Sequence, residues 1–228
     1  MKYQEIIKKL KSMGSKKNIE GMARFGINPR SNFGVGVTTL RSFARKIGKD
    51  HQLALQLWQS GVRDARILAC FIDESDLVTE KQMDDWVKDV DSWDLCDTVC
   101  GNLFDRVPYA YKKVVQWSKR KEEYVKRAAF SLIAWLAVHD KKRDDQSFIK
   151  FLPLIKKAAL DERNYVKKAV NWALRGIGKR SLMLNKAAVK AAKDIKKIDS
   201  TAARWIATDA LKELQDVKIL ARVRRRNQ

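Results

Sequence analysis

The stretch that decides the fold is Tyr124–Leu136, YVKRAAFSLIAWL, which returns at Tyr165–Ile177 as YVKKAVNWALRGI. Corresponding positions of the two copies lie 41 residues apart. A period of about 40 residues is typical of arrays in which pairs of α-helices stack on their neighbours, because one pair cannot bury its apolar face alone. The repeat therefore predicts an all-α fold, a helical-repeat solenoid in which the stacked pairs form an α-α superhelix.

Helical periodicity is present in both copies. Apolar residues recur at the i, i+3 and i+4 spacing, at Val125, Ala128, Ala129, Leu132, Ile133 and Leu136 in the first copy and at Val166, Ala169, Val170, Ala173, Leu174 and Ile177 in the second. Each stripe covers roughly 140° of its helix, the width of a buried face. Arg127 and Lys168 are expected to project outside the stripes, as is Trp172, whose counterpart in the first copy is Ser131. Trp172 therefore either packs under a neighbouring repeat or is displayed on a basic groove face.

The same periodicity extends over most of the chain, which contains three prolines. No segment shows the alternation of a β-strand, and no junction is long enough for a domain linker. We expect a single repeat domain over residues 1–228, with a basic tail at 222–228. The segment Phe33–Val37, FGVGV, is predicted as a loop between helices. The predicted helices lie near residues 2–13, 37–48, 50–59, 62–73, 79–90, 93–105, 107–120, 122–138, 145–159, 162–177, 183–196, 200–214 and 215–224.

The chain is strongly basic. Lys and Arg total 48 against 27 Asp and Glu, which gives a formal net charge of +21. Such an excess attracts polyanions, and no apolar run approaches the roughly 20 residues that cross a bilayer. The N-terminus lacks the apolar core of a signal peptide. Nucleic acid is therefore the expected partner, and no membrane association is expected.

Metal and cofactor chemistry is not indicated. His51 and His139 lie far apart, and no further Cys or His pair joins Cys96 and Cys100. A zinc site would need such a pair, so neither a metal ion nor a cofactor is expected. FGVGV is not followed by Gly-Lys-Ser/Thr, which excludes a phosphate-binding P-loop. The three cysteines are an odd number in a large chain, which suggests reduced intracellular thiols.

A second unusual face lies in the segment Asp91–Phe104. Its apolar stripe comprises Leu95, Cys96, Val99, Cys100 and Leu103. Trp93 and Asp97 are four residues apart and share a helix face just beyond that stripe. Ser92 or Asp91 is the expected N-cap, and the helix dipole accounts for Asp94 in the first turn. The dipole fades after one turn, so it accounts less well for Asp97.

An aromatic face beside a carboxylate suits a cationic nucleoside. Aromatic rings attract cations by about 0.5–2 kcal/mol, depending on desolvation. A carboxylate stabilises the oxocarbenium-like sugar that forms when a base departs, and it orients the attacking water. A nearby arginine would keep that carboxylate ionised. No general acid is evident to protonate a neutral purine, so a cationic leaving base is the better fit.

These residues carry a resemblance to a known family. SWDLCD at Ser92–Asp97, Arg127 and Trp172 resemble the AlkD-type DNA glycosylases, which are HEAT-like-repeat proteins of the DNA alkylation repair superfamily. The resemblance extends to MARF at Met22–Phe25 and to Phe33–Arg41. It implies a metal-free, monofunctional glycosylase with a concave basic groove. Such an enzyme excises cationic alkylpurines, such as 3-methyladenine and 7-methylguanine, from duplex DNA without flipping the base.

The resemblance also implies roles for individual residues. Asp97 would stabilise the sugar cation and hold the water, and Arg127 would lie beside Asp97 and the DNA backbone. Trp93 and Trp172 would press on the deoxyribose and the cationic lesion. The residues expected to contact DNA are Phe25, Tyr165, Lys126, Lys167, Lys168, Lys179 and Arg180. We expect a monomer in the cytoplasm, associated with nucleoid DNA.

The N-terminal part departs from the family pattern. Phe25 stands where active relatives can carry a tyrosine, and Gly26–Arg30, GINPR, would break the helix expected there. Thr38 or Thr39 replaces a common proline. Some relatives keep the fold but lack activity and bind branched DNA. Three functions therefore stay open: an alkylpurine glycosylase, a non-catalytic binder of DNA structures, and a scaffold for acidic protein or RNA.

Overall fold

The computed structural model of the protein describes residues 1–226, and those residues contain helices and no strand. An all-α chain was predicted, and this prediction is confirmed. A 3₁₀ turn, Phe104–Arg106, follows the seventh α-helix. The α-helices are α1 (Tyr3–Ser12), α2 (Lys16–Arg24), α3 (Val37–Ile47), α4 (His51–Gln59), α5 (Arg63–Ile72), α6 (Glu80–Lys88), α7 (Trp93–Asn102), α8 (Ala110–Trp117), α9 (Glu123–His139), α10 (Asp145–Ile149), α11 (Leu152–Ala158), α12 (Asn164–Gly178), α13 (Leu182–Lys196), α14 (Thr201–Leu214) and α15 (Val217–Arg226).

Two expectations about helix placement were wrong. Residues 14–36 were expected to contain no helix, but α2 lies there, capped by the Ser15 hydroxyl, which accepts the Asn18 amide at 3.3 Å. α2 is nine residues long and none of them is buried, and its apolar residues, Ile19, Met22 and Ala23, form too short a stripe to stand out. The single helix predicted at 145–159 is two, because Pro153 lies in the first turn of α11, where proline is tolerated.

Backbone contacts divide the chain into two compact units, Met1–Pro108 and Tyr109–Gln228. The single domain expected over residues 1–228 stays a prediction. In the first unit α5 packs against α3, α4 and α7. It is buried along most of its length, including Arg63 and Asp64 at its start. The centre of this unit is therefore a helix that carries two charged side chains into the interior.

In the second unit the two sequence copies are α9 and α12, which pack against each other. All members of both predicted apolar stripes are buried. Arg127 and Ser131 were expected to lie outside the packed face, and this was wrong, since they are 5% and 0% exposed. The reason is that α9 is covered by α8 as well as by α12. A helix packed on two sides has no free face for these positions to occupy.

In the α9–α12 contact, a large residue in one copy corresponds to a small residue in the other. Trp135 of α9 corresponds to Gly176 of α12, and Ser131 of α9 corresponds to Trp172 of α12. The rings of Trp135 and Trp172 meet edge to face, with centroids 5.4 Å apart and planes at 78°. A β-carbon at Gly176 would lie 3.4 Å from the Cα atom of Ala134, an ordinary van der Waals contact, so this position has room for a small residue. Each copy thus supplies one tryptophan and one small residue.

The C-terminal part is more ordered than a tail. The predicted basic tail at 222–228 begins inside α15, where Val223 is buried, and residues 227–228 lie outside the described part of the chain. The three cysteines are buried, and none of them forms a disulfide. Across residues 1–226, no helix combines the length and the apolar character that a membrane crossing requires.

Candidate functional site

In the first unit, the N-terminal end of α7 brings Trp93 to Phe25. The Trp93 indole Nε1 donates a 2.8 Å hydrogen bond to the Phe25 carbonyl oxygen. Phe25 directly follows α2, and its residue surface is 75% exposed. Asn28 supports the same junction, because its Nδ2 donates to the Asp91 carboxylate at 2.6 Å. The predicted helix break at Gly26–Arg30 therefore has a function in the fold: it docks on the start of α7.

A buried ion pair holds the first turn of α7. Arg63 Nη2 lies 2.5 Å from Asp94 Oδ2, and the two side chains are 5% and 8% exposed. Arg63 Nε also donates to the same oxygen, at 2.7 Å. Ser92 occupies the N-cap position as predicted, but its hydroxyl donates to Asp94 Oδ1 at 2.8 Å instead of accepting a backbone amide. Asp94 is thus an anchor for α5 and α7, beyond the helix-dipole role that was expected.

Asp64 extends this network to the glycine-rich loop. Its two carboxylate oxygens accept the amides of Phe33 at 2.7 Å and Val35 at 2.8 Å. Arg63 Nη1 lies 3.3 Å from Asp64, so one guanidinium serves both carboxylates. Sequence reasoning missed Arg63 and Asp64. The available signal was an Arg-Asp pair in the first turn of α5, RDARILACFI, whose remaining residues are mostly apolar.

Asp97 lies one helical turn after Trp93 on α7 and is half-buried. Directly beneath it, burial raises the pKa of the Cys100 thiol well above its usual range, and a hydrogen bond with Cys96 and the charge of Asp97 act in the same direction. The thiol therefore stays protonated and is a poor nucleophile. Asp97 and Trp93, one helical turn apart, therefore stay the predicted functional residues of this face.

In the second unit, Arg127 and Tyr165 are brought together. The Arg127 Nη1 donates to the Tyr165 carbonyl oxygen at 2.6 Å, across the facing N-terminal parts of α9 and α12. The rings of Tyr124 and Tyr165 stack beside this contact, with centroids 5.7 Å apart. The first residues of the two repeated copies therefore contact each other, and the buried guanidinium is oriented by the backbone of α12.

Trp172 takes one of the two roles that were left open, packing against a neighbouring repeat, while its display on a basic groove face stays a prediction. It is half-buried against Trp135, and it also lines a cleft of about 770 Å³ within the second unit. The charged residues lining this cleft are Lys141, Arg143, Asp144, Asp145, Lys179, Arg180 and Arg222. Cations outnumber carboxylates there, so an indole and a positive field share one concave surface.

Three of the predicted DNA-contacting cations have partners inside the protein. Lys126 Nζ lies 3.1 Å from Asp161, and Lys179 Nζ lies 2.6 Å from Glu213. The Arg180 guanidinium donates to the Arg143 carbonyl at 2.6 Å and lies 4.4 Å from the Phe148 ring centroid. Although burial opposes it, hydrogen bonding from Arg163 and Lys126 lowers the pKa of Asp161 to about 2. These three cations are therefore already bound by groups of the protein, which leaves less of their charge available to DNA.

The remaining two predicted cations are more available. Lys167 places its Nζ 5.4 Å from the ring centroid of Trp205, which is 40% exposed, and Lys168 is exposed. Contact of all five cations with DNA stays a prediction, with Lys168 the strongest of them on accessibility. No group of three or more His, Cys, Asp or Glu side chains within residues 1–226 is arranged to hold a metal ion.

Comparison with known proteins places this geometry in context. A family model described as "DNA alkylation repair enzyme" matches residues 6–214. Among solved structures, the chain is similar to one described as "a new family of proteins related to the HEAT-like repeat DNA glycosylases with affinity for branched DNA structures". The TM-score is 0.76 at 21% identity, over 92% of this chain and 94% of the other. This match confirms the predicted HEAT-like repeat fold, while the concave basic groove stays a prediction. A comparison with curated proteins found no match.

Proposed function

Because the chain belongs to the DNA alkylation repair enzyme family, we propose that it is a monofunctional DNA glycosylase. Its reaction would be hydrolysis of the N-glycosidic bond of cationic alkylated purines in duplex DNA. The substrates would be bases such as 3-methyladenine and 7-methylguanine, whose positive charge already makes them good leaving groups. No metal ion or cofactor takes part in this proposal.

One observation carries the proposal: Asp97 and Trp93 lie one turn apart on a helix whose start is held by buried charges. The ion pair of Arg63 with Asp94 fixes the first turn, and the Trp93 indole is tied to the Phe25 carbonyl. A catalytic carboxylate stabilises a transition state only if it need not reorganise when the charge develops. The anchored turn provides that condition.

The chemistry follows from the charges involved. As the C1′–N bond breaks, its electron pair moves to the base nitrogen and neutralises the cationic purine. Positive charge develops on the deoxyribose, where the Asp97 carboxylate would stabilise it. Water then adds to C1′ and loses one proton, which Asp97 would accept. The products are a neutral alkylpurine and an abasic site, so atoms and charge balance without a general acid.

The aromatic and basic residues would bind the substrate. In the first unit, the face of Trp93 would attract the cationic nucleoside, and such a cation–π contact is worth about 0.5–2 kcal/mol. Exposed Phe25 would contact the DNA next to Trp93. In the second unit, the exposed Lys168 would contact the phosphate backbone, which makes affinity strongly salt-dependent. Arg127 is buried and would act indirectly, by holding the backbone of Tyr165.

The decisive test is Asp97→Asn, an isosteric change that removes the charge. We expect release of 7-methylguanine from methylated duplex DNA to fall by at least about 100-fold, as when a single electrostatic contact to a transition state is lost. Duplex affinity, measured by fluorescence anisotropy, should change by less than about threefold, because a carboxylate does not contribute favourable phosphate contacts.

Asp76→Asn is the matched control, since Asp76 is an exposed carboxylate in the turn between α5 and α6 of the same unit. It should release the base at the wild-type rate. Equal release by wild type and Asp97→Asn would remove Asp97 from the mechanism, and absence of release by wild type would remove the glycosylase activity itself.

A second function is favoured by one specific observation. The solved structure that matches 92% of this chain is described as having affinity for branched DNA. On the same fold, the protein would bind branched DNA without cleaving a glycosidic bond. Gel shifts comparing a four-way junction with a linear duplex of the same sequences, run beside the release assay, discriminate the two. Preference for the junction without base release would establish the second function in place of the first.

A further inference from the structure

A second charged pocket lies in the first unit, at the opposite end of α7 from Trp93. Its volume is about 320 Å³, and its lining includes four cations, Arg41, Arg45, Lys49 and Arg106, with no carboxylate among the lining residues. The pocket is bounded by the C-terminal ends of α3, α5 and α7. The function proposed above makes no use of it.

Three of the four cations are held by neutral groups. The Arg41 guanidinium lies 4.6 Å from the Phe71 ring centroid. Lys49 Nζ donates to the Phe71 carbonyl at 3.1 Å and to the Asp73 carbonyl, and Arg106 Nη1 donates to the Asn102 carbonyl at 3.1 Å. Rings and carbonyls orient these side chains without cancelling a full unit of charge. The positive field of the pocket is therefore retained.

Compensation of helix dipoles explains only part of this charge. The carboxyl end of a helix is equivalent to about half a negative charge, so three helix ends offset roughly 1.5 of the four cations. Asp50 and Asp105 adjoin Lys49 and Arg106 in sequence but are not among the lining residues. Asp50 caps α4 by accepting the Leu53 amide at 2.9 Å, and Asp73 is engaged by His51 Nδ1 at 2.6 Å and by Gln82 Nε2 at 2.7 Å. A surplus of positive charge remains that an anion would balance.

The pKa of Lys49 is consistent with this surplus of positive charge. Lys49 is exposed overall, but partial desolvation of its amine lowers its pKa, the neighbouring Arg106 lowers it further, and the charges of Asp73 and Glu74 offset these effects only in part. An anion in the pocket would favour the charged amine and raise that pKa again. Guanidinium groups with their planar forks are the side chains best matched to phosphate oxygens, and a lysine completes the site as a point charge.

We propose that this pocket binds a phosphate group. The phosphate would come either from the backbone of DNA or from a free phosphate ion. Asn102 lies five residues beyond Asp97 on α7, which is about 7.5 Å along the helix axis. The pocket and the Trp93–Asp97 pair therefore lie at opposite ends of the same helix. Binding of free phosphate does not depend on the proposed glycosylase activity.

The test measures the rate at which each lysine is acylated by limiting N-hydroxysuccinimide acetate at pH 8, by peptide mass spectrometry. Inorganic phosphate should slow the acylation of Lys49 several-fold relative to chloride at equal ionic strength, because it charges and covers the amine. Lys46, which is exposed and lies outside the lining, should react at an unchanged rate. In Arg41→Gln/Arg45→Gln, the phosphate concentration needed for protection should rise by at least about tenfold, since two charge-assisted contacts are lost.

A second arm uses a short duplex in phosphate-free buffer. If the source is DNA, the duplex protects Lys49, and Arg45→Gln lowers the log–log salt slope of duplex binding by about 0.9. Lys46→Gln, the matched control, should leave both measurements near wild type. Protection by phosphate but not by duplex assigns the pocket to a free anion. If neither ligand protects Lys49, the phosphate site is overturned, whatever the glycosylase assay shows.

Discussion

The two units hold their candidate site residues by different means. In the first unit, the start of α7 is held by Arg63 and Asp94, two charges buried almost completely. In the second, Arg127 is held by the carbonyl of Tyr165, and Trp172 by packing on α9. Loss of one buried charge leaves its partner without compensation, whereas loss of one packing contact leaves neutral groups behind. The first unit should therefore respond more sharply to substitution than the second.

The largest expected effect comes from Arg63→Met. This change leaves Asp94 and Asp64 buried without their counterion, which should destabilise the protein by about 3–5 kcal/mol. Lys126→Met is the comparison in the second unit, and it should cost about 1 kcal/mol or less, because Arg163 still pairs with Asp161. Urea unfolding at pH 7 measures both. Equal losses in the two variants would contradict the contrast.

The loop held by Asp64 gives the next largest effect. Gly34 has a φ of +78°, and a β-carbon there would overlap the Ser15 carbonyl oxygen. Gly34→Ala should therefore cost at least about 2 kcal/mol. Gly36 has a φ of −66° and open space around its Cα hydrogens, so Gly36→Ala should lie within about 1 kcal/mol of wild type. Thermal unfolding of the two variants tests this difference. An equal decrease in Tm for both would contradict the requirement for glycine at position 34.

Acid should weaken the second unit through Asp161. Its folded-state pKa is about 2, below the usual value of 3.8, so its ionised form stabilises the fold above about pH 4. The difference of nearly two pH units corresponds to about 2 kcal/mol, which is lost as the pH falls from about 4 to 2. The stability difference between wild type and Asp161→Asn should therefore shrink by about 2 kcal/mol over that range, measured by urea unfolding.

Asp73 in the first unit should make folding stability depend on pH in the opposite direction. Burial raises its pKa, although hydrogen bonds from His51 and Gln82 oppose the rise. Ionisation of Asp73 therefore works against folding, and its contribution is most favourable below pH 3.8 and diminishes as the pH rises through the folded-state pKa. The difference between wild type and Asp73→Asn should move in the opposite direction to that for Asp161. A common sign for both would contradict this assignment.

The smallest expected effect is the coupling of Trp135 and Trp172. A double-mutant cycle with Trp135→Leu and Trp172→Leu should give an interaction energy of about 1 kcal/mol, as for other aromatic pairs. Urea unfolding of the four proteins supplies the values. A coupling near zero would mean that the indoles share a boundary without contributing to the α9–α12 contact.

Sequence periodicity was sufficient for the parts of the fold that are buried on one face. The stripes of α9 and α12 were predicted position by position, because the apolar face that each helix packs against its neighbour repeats every three or four positions. The same reasoning failed where that condition did not hold. It missed α2, which buries nothing, and it misplaced Arg127, since α9 is packed on two sides.

The candidate site divides in a similar way. Trp93 and Asp97 were identifiable because their four-residue spacing depends only on local helix geometry. The residues that hold the start of α7 in place could not be identified in this way. Arg63 and Asp64 lie about 30 residues earlier in the chain and act through tertiary contacts, which sequence spacing does not reveal. The contact of Phe25 with Trp93 joins residues separated by 68 positions, and its acceptor is a backbone carbonyl that carries no sequence signal.

The enclosure of α9 has a consequence for hydrogen exchange. Most of its residues are buried, from Val125 through Ala137, and its neighbours α8 and α12 would have to separate before solvent reached its amides. Those amide protons should exchange only through opening of the whole second unit, and should be its slowest. The exposed helix α2, which has no buried residue, should exchange by local fraying. Deuterium uptake should therefore show two classes of exchange rate, fast in α2 and slow in α9. The rate in α9 would report the stability of the second unit.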